Sequence, residues 1–379
     1  MRAISKEVLV QRTRWFVYAA GLLLAVSLAH CGRSGSNAGA PGGGVVQAPG
    51  AAAGGGGAGL TGAGATFPYP IYSRWFDAWR KKTGVAINYQ SIGSGAGIQQ
   101  LAAGTVDFGA SDAPLSDDKL KTMPHPVLHL PTVGGAVVLA FNLPGVPAVK
   151  LTPQAIAGIF LGTIRIWNDP AIASANAGVT LPNTPILAVH RSDGSGTTNI
   201  FTTYLSAVSP AWKSKVGANT SVSWPTGVGG KGNDGVSGLV KQTPGAIGYV
   251  ELAYARQNQL AMASIRNRAG QFVTPTLQST TAAIAASSAA LAKDVRTPIV
   301  DAAGAQSYPI AAVTFLLVNQ DQTDAGKARK FVDFVRWAIH DGQAQVEALD
   351  YAQLPPNLVQ QDEATLKKIT VNGQALPAT

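Results

Sequence analysis

Beyond Leu60 the chain alternates between two hydrophobic periods. Val85, Ile87 and Tyr89 recur at every second position, the spacing of a half-buried strand. Ile71, Trp75 and Trp79 recur at helical spacing behind Pro68, a residue suited to the first turn of a helix, so Thr66 and Phe67 are expected at a helix start. Ile98 to Ala103 reads as a second, short helix closed by Gly104. Val106 to Ala110 runs into Ser111-Asp112, Val133 to Phe141 forms one continuous apolar strand, and Pro185 to Val189 feeds His190-Arg191. Trp75, Trp79, Phe331, Val335 and Ile339 are expected to be core faces of helices. Strands that feed loops that feed helices predict an α/β sheet with polar groups gathered at the carboxyl ends of its strands.

Several of those loops carry one kind of chemistry. Asp193-Gly194-Ser195-Gly196-Thr197-Thr198 follows His190-Arg191 and precedes an apolar-periodic stretch. Its glycines permit tight turns, its hydroxyls donate, the new helix offers unpaired amides and Arg191 supplies a planar cation. Thr61 to Phe67 and Gly93-Ser94-Gly95-Ala96-Gly97 follow the same plan. Each helix start carries roughly half a positive charge, so convergence of the three would hold a small anion with few cationic side chains. Any one such run is an ordinary turn, and it is their recurrence that predicts convergence.

Two other motifs read as structural. In Gly227 to Gly235, Lys231 is followed by Gly232 where a nucleotide-binding loop needs Ser or Thr, so the segment is expected to be a loop capping a helix from Val236. His125 and His129 have a spacing seen in metal sites, but prolines at 124, 126 and 131 forbid the helix that would align them, and a surface loop without metal is expected.

Composition narrows the picture. The 379 residues suggest about two domains, and the net charge is +9, of which Arg2, Lys6, Arg12 and Arg14 against Glu7 place +3 ahead of Cys31. The remaining charges are scattered with no basic run interleaved with aromatics, which argues against nucleic acid, and the mild excess suits a small anion or solubility alone equally well. Arg12 and Arg14 precede an apolar stretch from Trp15 to Ala29, so residues 1–31 read as a signal peptide and the protein as exported. Cys31 is the lone cysteine, either acylated as in a lipoprotein or incidental in a cleaved leader. Residues 32–59, built mostly of Gly, Ala, Ser and Pro, read as a flexible tether.

Thr61 to Phe67, Val106 to Ser116, Arg191 to Thr197, Gly229 to Gly235 and Pro244 to Glu251 together resemble the periplasmic phosphate-binding proteins of phosphate-specific ABC transporters. The resemblance runs from Leu60 to the segment Tyr351–Pro355. It implies an α/β, two-lobed periplasmic-binding-protein fold of type II kind, with mixed sheets flanked by helices and a ligand cleft between the lobes. Lobe one would combine residues 60–135 with 310–379, and lobe two would be residues 136–309. Val133 to Asn142 and Tyr308 to Asn319 are the candidate crossing strands.

Carried over residue by residue, the family's phosphate ligands fall on Thr66, Phe67, Ser94, Asp112, Arg191, Ser195, Gly196 and Thr197, with Asp193 orienting Arg191. His190 stands where relatives often carry a second basic residue, and an exposed or neutral role is open to it. Asp112 would accept a proton that phosphate retains and sulfate lacks. The implied partners are inorganic phosphate and the permease and ATPase subunits of an ABC transporter. A monomer in the periplasm or cell envelope is expected, with no cofactor, metal, catalytic residue or nucleic acid, and with membrane contact only through a lipid on Cys31. The rival readings are a phosphatase-like enzyme using Ser195 with His190 or Asp193, and a phosphate sensor without a transport role.

Overall fold

A computed structural model describes residues 59–376. The expected leader, Cys31 and the tether up to residue 58 lie outside the described residues.

One ten-stranded sheet organises the chain, and its centre is two long strands. Leu60–Gly64 lies between Ile87–Ser91 and Phe108–Ser111, parallel to both. Leu187–Arg191 lies between Val228–Gly230 and Ala246–Glu251, again parallel to both. Two small parallel half-sheets result, each with a middle strand that runs out toward the other half. Val127–Phe141 joins them. Its residues Val127–Ala136 pair with the return strand Ile310–Asn319, and Val137–Phe141 pair with Ala246–Glu251, so the pairing changes hands between Ala136 and Val137.

The long strand begins earlier than its apolar run from Val133, and it contains a proline. Thr314 faces Val133 and Phe315 faces Pro131, which leaves Thr132 as the extra residue of a bulge. A bulge releases the local pairing that proline, without an N–H, cannot make. His129 therefore sits in this strand and not in a surface loop. Its Nε2 accepts the Leu115 N–H at 3.0 Å, and burial pushes its pKa down to about 4. His125 is exposed.

Helices cover both faces. Trp75, Trp79, Phe331, Val335 and Ile339 are all buried, as their spacing predicts. Phe76 and Phe331 pack against Phe108, which seats the helices Tyr69–Thr83 and Ala325–Ile339 on the first half-sheet. On the second half, Phe160, Phe201, Trp224 and Tyr249 form the matching aromatic cluster. The helix ahead of Gly104 starts at Ser94, four residues before the apolar run, because Gly93 at φ 93° already makes the turn. It ends at Ala102.

Candidate functional site

The middle strand of each half ends in a glycine turn that launches a helix. Gly64 has φ 147°, and a Cβ there would lie 2.1 Å from the Ala110 carbonyl oxygen, so only glycine lets the chain turn into Thr66 and Phe67. On the other half, Arg191 is followed by a turn whose Ser195 caps helix Gly196–Val208, its hydroxyl oxygen accepting the Thr198 N–H at 3.0 Å.

The helix starts at Ser94 and Gly196 meet across the two halves. Ser94 Oγ accepts the Gly196 N–H at 3.0 Å and the Asp112 N–H at 3.3 Å, and the Gly95 N–H donates to the Gly194 carbonyl at 2.9 Å. A Cβ on Gly196 would lie 2.6 Å from both Ser94 Oγ and Asp112 Cβ. Glycine is thus required for this approach.

Arg191 is buried with its guanidinium held as a fork. Nε donates to Asp193 Oδ1 at 2.7 Å and Nη2 to Asp193 Oδ2, while Nη1 reaches Thr197 Oγ1 at 3.3 Å. Burial alone would raise the Asp193 pKa, but the Arg191 hydrogen bonds and charge outweigh it and hold the carboxyl below its ordinary value. The pairing fixes one edge of the guanidinium and leaves the other toward Thr197.

Asp112 is also buried and follows the end of strand Phe108–Ser111. Burial pushes its pKa up to about 7, against the opposing pull of the Thr314 hydroxyl, the Arg191 charge and hydrogen bonds from Thr197. A carboxylate and a guanidinium therefore share Thr197, inside a shell of amides and hydroxyls.

Thr66 joins the same group through a residue the sequence reading passed over. Asn233 Nδ2 donates to Thr66 Oγ1 at 2.7 Å and to Thr197 Oγ1 at 3.2 Å, and Asn233 Oδ1 accepts the Glu251 N–H at 2.9 Å. Helix Gly232–Gln242 starts before Val236, and the Gly232 N–H donates to Asp193 Oδ1 at 3.0 Å. The Gly227 to Gly235 segment is thus a fourth helix start at the site and more than a structural cap. The signal was an asparagine at the head of the helix, a residue able to bridge two hydroxyls.

Tyrosines form the backing layer. Tyr254 donates to the Thr66 carbonyl and Tyr351 to the Phe67 carbonyl, both at 2.6 Å. Because a trans peptide sets its C=O and N–H on opposite sides, the Tyr254 bond turns the Phe67 amide away from Tyr254. Tyr249 takes the Arg191 N–H at 3.0 Å and shares a hydrogen bond with Thr198. In sequence these aromatics are indistinguishable from core. His190 lies outside the cluster, stacked on Trp224 at 4.8 Å, and burial lowers its pKa, which fits the neutral role left open for it and not a second cation.

Two half-sheets that pool their polar groups where their middle strands end define the two-lobed binding-protein fold. The PBP superfamily domain matches residues 47–336. The phosphate-binding protein PstS of Xylella fastidiosa is 48% identical over 307 residues, covering 80% of this chain and 84% of that protein. That of Pasteurella multocida is 47% identical over 310 residues, covering 81% and 90%. The chain belongs to the PBP superfamily and, within it, to the family of the phosphate-binding protein PstS. Among solved structures, the periplasmic phosphate-binding protein PfluDING with bound phosphate is similar with a TM-score of 0.64 at 25% identity, covering 81% of this chain and 93% of that one. The ancestral soluble variant of the human phosphate-binding protein is similar in fold, with a TM-score of 0.65 at 23% identity over the same shares.

Proposed function

We propose that the protein binds inorganic phosphate in the periplasm or cell envelope and delivers it to an ABC permease, whose ATPase subunits power import. Thr66, Phe67, Ser94, Asp112, Arg191, Ser195, Gly196 and Thr197 are the proposed ligands, and Asp193 the residue that holds Arg191. Phe67 serves through its backbone amide, Gly196 through the amide that Ser94 Oγ holds in the structure and would hand to the ion, Arg191 through its guanidinium, and the others through hydroxyls or amides. We divide the lobes as residues 60–135 with 310–379 against 136–309, and closure of one on the other excludes water from the ion. The relatives' names support the ligand, and the long strand that changes partners after Ala136 supports the division.

The observation that carries the reading is a buried carboxylate, Asp112, set among donors beside Arg191. Such a carboxylate repels an anion unless a proton lies between them. Phosphate near neutrality keeps a proton it can donate, whereas sulfate would leave two acceptors face to face, a mismatch of several kcal/mol by order of magnitude.

Capture without turnover completes the proposal. Ser195 uses its hydroxyl oxygen to cap a helix, Asp193 is committed to Arg191, and His190 is turned onto Trp224. None of these is arranged as a base for a serine nucleophile. We further propose a monomer without cofactor that is exported, with Cys31 either lipid-anchored or removed with the leader.

Calorimetric titration of phosphate-stripped protein with phosphate and sulfate tests the filter. Asp112→Asn is expected to bind sulfate measurably while losing less for phosphate than it gains for sulfate. Sulfate rejection as strong as in the parent protein would remove Asp112 from the role.

A further inference from the structure

The return strand Ile310–Asn319 carries one hydroxyl in an otherwise apolar run from Ile310 to Val318, and it is spent on the site. Thr314 is fully buried and its Oγ1 donates to Asp112 Oδ1 at 2.8 Å. The contact follows from register. Phe315 pairs with Ser111, so Thr314 falls beside Asp112, the next residue of the neighbouring strand's extension.

A second threonine holds Thr314 in place from behind. Thr132, the extra residue of the bulge, donates its hydroxyl to the Thr314 carbonyl at 3.2 Å and lies 2.8 Å from the Tyr72 hydroxyl. Burial pushes the Tyr72 phenol well above its ordinary pKa, so it keeps its proton and donates to Thr132. The run of donors therefore points from Tyr72 through Thr132 to the Thr314 backbone, leaving the Thr314 hydroxyl for Asp112.

We infer that Thr314 is a specificity-determining positioning residue: by donating to one oxygen of Asp112, it keeps that carboxylate ionised and leaves the other oxygen to take a proton from the bound anion. The inference rests on the phosphate reading above. Two oxygens of one carboxylate are given separate tasks, one tied to the protein and one to the ligand.

Thr197 also donates to the Asp112 carboxyl through its hydroxyl and backbone amide, but it belongs to the opposite half, whereas Thr314 is the donor supplied by a strand paired with Asp112's own. Arg191, from the opposite half, favours the ionised form, but its Nε and Nη2 are bound by Asp193. Glu251 and the phenols of Tyr72, Tyr89, Tyr254 and Tyr351 are all held toward their neutral forms by burial. With the carboxyl balanced near neutrality by burial, loss of one hydrogen bond to its ionised form is enough to change its state at working pH. A protonated Asp112 offers an O–H to sulfate, and rejection is lost.

The test is sulfate competition against phosphate, by calorimetry on the full chain stripped of ligand, from about pH 5 to about pH 9. In the parent protein sulfate should begin to compete only as pH falls through the titration of Asp112. Thr314→Val, nearly isosteric, should move that onset upward by about one pH unit or more and raise sulfate competition about tenfold near pH 9, above the titration of Asp112, where the protonated fraction scales with the shift. Thr314→Ser, which restores the donor, should return the parent profile, and Thr314→Val should add nothing in an Asp112→Asn background. Thr314→Ala carries the same expectation if the valine variant does not fold. An onset in Thr314→Val or Thr314→Ala that coincides with the parent's overturns the inference. Failure of the parent protein to bind phosphate would instead overturn the reading beneath it.

Discussion

Residues at the site divide into those proposed to touch the ion and those that hold the first group in place, and Arg191 and Ser195 show how differently two proposed ligands are built in. Arg191 is the buried cation of the cluster and leaves Asp193 without its partner when removed. Ser195 also serves its own helix. Arg191→Ala is therefore expected to weaken phosphate binding about a hundredfold or more. Ser195→Ala should cost about tenfold in binding and about 1 kcal/mol in stability through the lost cap. Parallel titrations and thermal melts of the two variants check this, and equal losses in binding would contradict the geometry. Arg191 stood out in sequence as a charge at the end of an apolar strand, whereas Asp112 was marked as a ligand only by the family resemblance. Thr314 was marked by neither, since a threonine in an apolar run reads as a β-former whose hydroxyl has no stated destination. Tyr254 and Tyr351 were hidden for a similar reason: a buried ring is core by default, and only coordinates reveal where its hydroxyl points.

At the scale of elements, the unit of function is a helix start rather than a side chain. Glycine with a neighbouring hydroxyl marked the starts at Ser94 and Gly196, and the turn through Thr66, well enough for their meeting to be foreseen. The fourth start, at Gly232, escaped because Lys231 invited comparison with a nucleotide loop, and rejecting that comparison left Asn233 without a task. The long strand was partly legible, but its first residues were obscured by Pro131, whose place beside a bulge only pairing could show. Gly196 allows a direct test of the element scale. Gly196→Ala should leave the unliganded protein's melting temperature within a few degrees, since alanine suits a helix at least as well. Its Cβ would meet Ser94 and Asp112, so closure is blocked and phosphate affinity should fall at least about a hundredfold by the cost of overpacking a rigid contact. Unimpaired binding by a folded Gly196→Ala variant would show that the two helix starts need not touch.

Across the whole molecule, the sheet joins both halves through the same strand, so they should unfold together. Differential scanning calorimetry of the phosphate-free protein is expected to show one transition, moved up as a whole by phosphate. At about a hundred times its dissociation constant, phosphate should add about 3 kcal/mol of unfolding stability. Two transitions with phosphate moving one alone would mean that the ion is held by a single half. The α/β class and the meeting of the halves were legible because strand and helix periods are local properties of sequence. The change of pairing partner at Ala136 and Val137 was not, because both residues sit in a run that is apolar from end to end.

That hand-over has a mechanical consequence. Under the proposed division of the lobes, a joint made of unbroken pleated backbone, gripped by neighbours on either side of the changeover, is expected to act as a strip hinge and not as a ball joint, folding along one crease and resisting sliding. In the proposed closure, each swing of the two jaws would return Ser94 to Gly196 and Thr66 to Asn233 along the same path, with no guide needed beyond the protein's own spine.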